Sequence, residues 1–156
     1  MQIFSGVQRD IIDKKTLTRF FLALFILIYP SLETVYPLLP PLLGFVYLQW
    51  RNAVRKKDYT LAALWMLYAL IFESVWGLPL YGIWSVMIVT FVVFDTKITQ
   101  TFHIDLFIKI LSVVLFDLLY FAFLSGYGSL MNDKYIDLGA ILLYYFAADI
   151  LGVILF

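Results

Sequence analysis

The sequence predicts an all-α polytopic membrane protein, a bundle of six transmembrane helices with both termini cytoplasmic. Three observations carry that prediction. The chain of 156 residues is 63% hydrophobic and 14% charged, with a mean hydropathy of +0.94, more apolar surface than a water-soluble core of this size can bury. Its apolar residues fall into six runs separated by short polar breaks. With six alternating spans, Lys134 alone among the 11 Lys and Arg lies outside, as expected when cationic loops resist translocation. The formal net charge is zero, so no global field points to nucleic acid. No linker rich in Gly, Ser or Pro divides the chain, and residues 1–156 read as one domain.

Residues 1–15 place Ile3, Phe4, Val7, Ile11 and Ile12 on one helical face, with Arg9, Asp10, Asp13, Lys14 and Lys15 elsewhere. The segment is either an interfacial helix on the cytoplasmic leaflet or a frayed tail. The first span, Thr16 to Tyr36, is not followed by a small-x-small cleavage site and is not read as a signal peptide. Pro30, Glu33 and Pro37 mark the first external turn. The second span, Leu38 to Trp50, opens on Pro40 and Pro41 and falls short of the roughly 20 apolar residues that a perpendicular crossing needs. Arg51, Arg55, Lys56 and Lys57 then form a basic cytoplasmic loop.

The third span runs from Thr60 to Trp76 and the fourth from about Leu78 to Phe94. Between them, Glu73, Trp76, Gly77, Pro79 and Gly82 make a tight external reversal. Gly77 and Gly82 are free to adopt backbone angles that a β-carbon forbids, and Pro79 suits the first turn of the returning helix. Asp95 to His103 is a polar loop carrying Lys97, the fifth span is about Ile104 to Leu124, Ser125 to Lys134 is a glycine-containing loop, and Tyr135 to Phe156 is the sixth span. Tyr29, Tyr36, Trp50, Trp76, Tyr127 and Tyr135 lie near predicted span ends, where amphipathic rings anchor depth.

An Asp at a span centre costs about 2.5–3.5 kcal/mol on insertion scales and should face the bundle. Asp105 has Lys109 four residues on, an ion pair of structural kind. Asp117 and Asp149 lie among apolar residues without a local cation. Either they hydrogen-bond across helices and fix packing, the favoured reading, or they form a proton or cation site. A proton-coupled exporter built on them would call for inverted repeats with broken helices, and no such symmetry is visible.

The chain has no cysteine, which excludes disulfides, thiolate metal sites and cysteine nucleophiles. Its one histidine, His103, falls in a loop, and no HExxH, GxSxG or glycine-rich phosphate loop is present. No catalytic, metal or cofactor residue is assigned, and the chain reads as a non-enzyme. In the sixth span Gly139, Ala140, Ala147, Ala148 and Gly152 offer small surfaces for close helix contact, within the chain or with a partner such as a second copy.

A Pro-led second span ending in Trp50, a basic loop, and a third span ending in Glu73 and the turn Trp76 to Gly82 together resemble the MreD family of bacterial rod-shape-determining membrane proteins. The likeness covers about Leu38 to Phe94. Family members usually carry Asp where this chain has Glu73, and a Gly near the position of Ala69. The resemblance implies a non-enzymatic scaffold of the cell-elongation and peptidoglycan-synthesis machinery in the bacterial cytoplasmic membrane. Its partners would be a bitopic MreC-like protein and, through it, a RodA-type polymerase and a class B penicillin-binding protein. It also implies that Glu73 and the following turn shape the periplasmic end, while Arg51 to Lys57 face anionic lipid or a cytoplasmic partner. The alternative is a small-molecule-binding subunit resembling the substrate-capturing component of a vitamin transporter, with its ligand near Glu73, Trp76, Asp117 and Tyr127.

Overall fold

The computed structural model describes the backbone of residues 3–36, 39–101, 104–131 and 139–155, and their side chains from residue 16 onward apart from 96, 131, 139–143 and 155. Every regular element in these residues is helical. α1 is Ile3–Val35, α2 Leu43–Arg55, α3 Tyr59–Trp76, and α4 Gly82–Val89. α4 continues through a π-helical turn, Thr90–Asp95, into α5, Thr96–Thr101; α6 is Asp105–Met131 and α7 Gly139–Leu155. Four stretches are long and apolar enough to cross a bilayer: Thr16–Val35, Tyr59–Trp76, Gly82–Thr101 and Asp105–Leu130. This is the build of a helical membrane protein.

α2, with 13 residues, is about 20 Å long at the α-helical rise, yet it occupies the middle of the molecule. It packs against α3, α6 and α7, while α1 lies on α3. Such a short helix is sheltered by its neighbours: Val46, Tyr47, Leu48, Trp50 and Ala53 are all buried. Tyr47 stacks on Phe116 with ring centroids 4.8 Å apart, and Phe116 in turn stacks on Tyr120. Tyr68, Phe72, Ile83 and Met87 complete the core from α3 and α4.

Several boundaries differ from the sequence reading, each for a local reason. α1 begins at Ile3, so the first segment continues the spanning helix; its side chains, including Arg9 and Lys15, lie outside those described. α2 starts only at Leu43, because Leu42 sits in left-handed backbone (φ 51°) and its carbonyl accepts the first helical bond, from Val46 N–H. It then runs through Arg51 to Arg55, which puts two of the four basic-loop residues on the helix. The segment from Asp95 to Thr101, including Lys97, is helical and not a loop. α6 likewise continues through Ser125 to Met131, since a helix-interior glycine such as Gly126 costs only about 1 kcal/mol. His103, Lys134, Tyr135 and Pro37 lie outside the described residues. The Asp105–Lys109 ion pair is not among the salt bridges of the described residues. Asp105 is exposed as the first residue of α6, where unbonded backbone N–H groups already favour its charge.

Candidate functional site

At one end of the bundle, α3 turns into α4 around Glu73. Gly77 ends α3 in left-handed backbone (φ 63°), and its N–H and that of Leu78 both donate to the Glu73 carbonyl. Tyr81, also left-handed (φ 68°), precedes α4. The Glu73 carboxylate then reaches across the turn: Tyr81 N–H donates to Oε2 at 2.7 Å and Ile83 N–H to Oε1 at 2.5 Å. A helix begins with N–H groups that lack helical partners, and here a side chain from the preceding helix accepts from them. The reversal predicted around Glu73 is therefore present, with two of its residues in altered roles. Gly82 serves close approach and not backbone freedom, since a β-carbon there would lie 2.6 Å from Phe123 Cε1 and 3.2 Å from Glu73 Oε1. Pro79 lies before the helix, its carbonyl accepting from Gly82 N–H. Trp76 is 42% exposed at the rim of the turn.

The start of α2 is held differently. Asp149, on α7, accepts from Gly44 N–H through Oδ2 and from Phe45 N–H through Oδ1, both at 3.2 Å. A β-carbon on Gly44 would overlap Val113 Cγ1 and lie 3.0 Å from each carboxylate oxygen of Asp117. α2, α6 and α7 thus meet at Gly44, which lets two intramembrane acids approach one backbone position. Asp149 is used as a helix cap. Asp117 Oδ2, by contrast, is buried with no hydrogen-bond partner among the described residues.

Glu33 lies at the same end, 1% exposed near the close of α1. The Tyr68 hydroxyl donates to the Pro41 carbonyl at 2.8 Å and stands 3.4 Å from Glu33 Oε1. The Tyr29 hydroxyl donates to the Pro40 carbonyl at 2.7 Å. Two tyrosines therefore hold the proline pair that leads into α2, and Glu33 Oε2 is left without a partner among the described residues.

Charged residues lock the opposite end. Arg51 Nε pairs with Asp95 Oδ1, and Arg55 pairs with Asp95 Oδ2 at 2.6 Å and donates to Thr99 Oγ1 at 2.8 Å. Arg51 and Asp95 are each 3% exposed, a burial that a charge tolerates only when paired. The π-helical turn re-aims the chain so that Asp95 faces α2, the kind of use such turns find in helices. Arg19 forks onto Asp58 with two bonds of 2.8 Å, and Asp58 Oδ1 also accepts from Leu61 N–H to cap α3. The predicted basic loop is thus divided: Arg51 and Arg55 engage Asp95, while Lys56 and Lys57 are exposed.

Sequence reasoning singled out Glu73, Asp117 and Asp149, placed Glu33 in the first external turn and Asp95 in a polar loop, and gave Asp58 no role. Glu33 is instead buried inside α1 and Asp95 buried at the end of the π turn. A signal for Glu33 was present. Leu32-Glu33-Thr34-Val35-Tyr36 followed by Pro41-Leu42-Leu43-Gly44-Phe45 repeats as Phe72-Glu73-Ser74-Val75-Trp76 followed by Pro79-Leu80-Tyr81-Gly82-Ile83. This is a direct repeat, not an inverted one, and it pairs Glu33 with Glu73 and Gly44 with Gly82. No sequence signal of comparable clarity marks Asp95, whose partners lie 40 and more residues away.

What the site can do chemically is hold helix starts and accept hydrogen bonds. Among the described residues no three His, Asp or Glu side chains lie close enough to hold a metal ion. Compared with known proteins, the chain matches no family model, no curated protein and no solved structure.

Proposed function

We propose that the chain is a non-enzymatic, six-span scaffold of the bacterial cytoplasmic membrane with both termini inside, acting like MreD proteins on a bitopic MreC-like partner of the cell-elongation machinery. One observation carries the reading. The acids inside the bundle are used to fix its shape: Glu73 and Asp149 each accept two backbone N–H groups at a helix start, and Asp95 ties the far end of α2 to the π turn. A bundle braced at both ends while presenting apolar side chains outward, such as Phe20, Phe21 and Leu27 on α1, is suited to holding a partner helix in register. The basic residues at the Arg51–Asp95 end support its assignment to the cytoplasmic side.

A mild-detergent pull-down of the tagged protein from its native membrane tests the proposal. Recovery of a bitopic partner with cell-wall synthases is the expected result; recovery of the chain alone, or with unrelated proteins, overturns it. Because the chain lacks cysteine, single substitutions report topology directly. Trp76→Cys should react with an impermeant maleimide added outside and Lys57→Cys should not; the reverse pattern overturns the orientation.

A second reading keeps one observation in its favour. Glu33 Oε2, Asp117 Oδ2 and the Tyr120 hydroxyl are buried without hydrogen-bond partners among the described residues, which supports capture of a small ligand at that end, as in the membrane subunit of a vitamin transporter. Co-purification of ATPase subunits, or of a bound small molecule, would select it over the scaffold.

A further inference from the structure

The corner between α2 and α3 is built with residues that its backbone does not favour. Lys57 N–H donates to Val54 O at 3.0 Å and Asp58 N–H to Ala53 O at 2.9 Å, the bond pair of a Schellman turn, whose left-handed position is usually glycine. Here that position is Lys57, with φ 57°. A β-carbon in left-handed backbone costs energy that glycine would avoid, so the lysine is held at a place where stability alone would select another residue.

The charges around the corner are not balanced locally. Asp58 lies between α2 and α3 but is neutralised by the Arg19 fork. Lys56 and Lys57 are exposed, and among the described residues neither is paired with a carboxylate. They edge a cleft of about 450 Å³ whose walls include Gln49, Asn52, Leu61 and the Arg19-paired Asp58, a volume in the range of small-molecule sites. Two cations, two side-chain amides and an apolar step are thereby gathered in one recess, and the carboxylate that lines it, Asp58, is held by Arg19.

The recess lies at a membrane boundary. The Arg19–Asp58 tie brings together the starts of two apolar stretches, Thr16–Val35 and Tyr59–Trp76, so the corner stands just beyond the point where both enter hydrocarbon. An anion reaching it from the bilayer would bring a phosphate at headgroup depth and apolar chain alongside Leu61. Basic side chains at this level attract anionic lipid.

We propose that this cleft is a binding site for the phosphate headgroup of an anionic glycerophospholipid, with Lys56 and Lys57 meeting the charge and Gln49 and Asn52 orienting the phosphate oxygens. The assignment stands independently of the scaffold function. It is tested on the full chain purified in neutral detergent, by thermal unfolding with added phosphatidylglycerol, phosphatidylcholine or soluble glycerol phosphate. Phosphatidylglycerol should raise the midpoint and phosphatidylcholine should not. Equal shifts with the two lipids overturn the site, and a full shift with glycerol phosphate alone overturns the membrane source of the anion.

The double variant Lys56→Gln, Lys57→Gly removes both charges while giving the left-handed position its preferred residue. In phosphatidylcholine its midpoint should equal or exceed that of the parent, yet its response to phosphatidylglycerol should be lost. Lys56→Gln with Lys57→Asn, a residue that also tolerates this backbone, must show the same loss. Retention of the full phosphatidylglycerol shift in either variant overturns the proposal.

Discussion

The α1–α2 and α3–α4 hairpins begin from nearly the same sequence and satisfy the returning helix in different ways. In α3–α4, five residues separate the helices, and Glu73 caps the helix that its own turn leads into. In α1–α2, seven residues intervene, and the matching Glu33 lies beside Tyr68, while Asp149 from α7 accepts the N–H groups of α2. Both helices are entered through a left-handed, non-glycine residue, Leu42 or Tyr81. The same problem of unbonded N–H groups in an apolar setting is therefore solved locally in one hairpin and by a distant helix in the other. One turn is self-contained; the other makes the start of α2 depend on the end of the chain.

Removing the caps should break this contrast most sharply. Asp149→Leu orphans the Gly44 and Phe45 N–H groups at about 1–3 kcal/mol each, the cost of an unsatisfied buried donor. It should also detach α7, seen as protease sensitivity of the C-terminal helix. Glu73→Leu should cost less, about 1–3 kcal/mol in all, because Tyr81 is exposed and water can replace one bond; α7 should remain docked. Equal destabilisation, or loss of α7 from the Glu73 variant, would contradict the local-versus-distant distinction. Thermal unfolding in detergent together with limited proteolysis measures both.

Glu33→Met sharpens the comparison from the other side. Glu33 is buried with one oxygen that has no hydrogen-bond partner among the described residues, so an apolar replacement of similar volume should be neutral or stabilising within about 1 kcal/mol. A large loss of stability would show that Glu33 caps α2 after all. If the fold is kept and partner recovery in the pull-down is lost, the carboxylate serves binding. The smallest effect is expected from Tyr81→Gly, which relieves left-handed strain and should raise stability by at most about 1 kcal/mol; a drop beyond 1 kcal/mol would mean that the ring contact with Trp84, centroids 5.4 Å apart, matters more than the backbone.

Much of the architecture was legible in the residues alone. Apolar runs of spanning length, the tight reversal at Glu73 and the need for Asp117 and Asp149 to face inward follow from the price of polar groups in hydrocarbon, which acts on any chain whatever its packing. The third span, Thr60 to Trp76, differs from α3 by a single residue at its start, because Asp58 and Gly77 supply local stop signals on either side. Helix ends without such signals were misplaced: Asp95 to Thr101 and Ser125 to Met131 look polar enough for loops yet continue as helix.

What only the tertiary structure decided is which acid serves which helix. Glu33 and Glu73 have almost identical neighbours in sequence, and nothing local says that one caps its own hairpin while the other yields to Asp149, more than 100 residues away. Likewise Arg51, Arg55, Lys56 and Lys57 read as one basic cluster until the π turn brings Asp95 to the first two and leaves the lysines facing out. Composition determines that a charge in a membrane must find a partner; the partner itself is set by the packing of α2 against helices that the chain makes later.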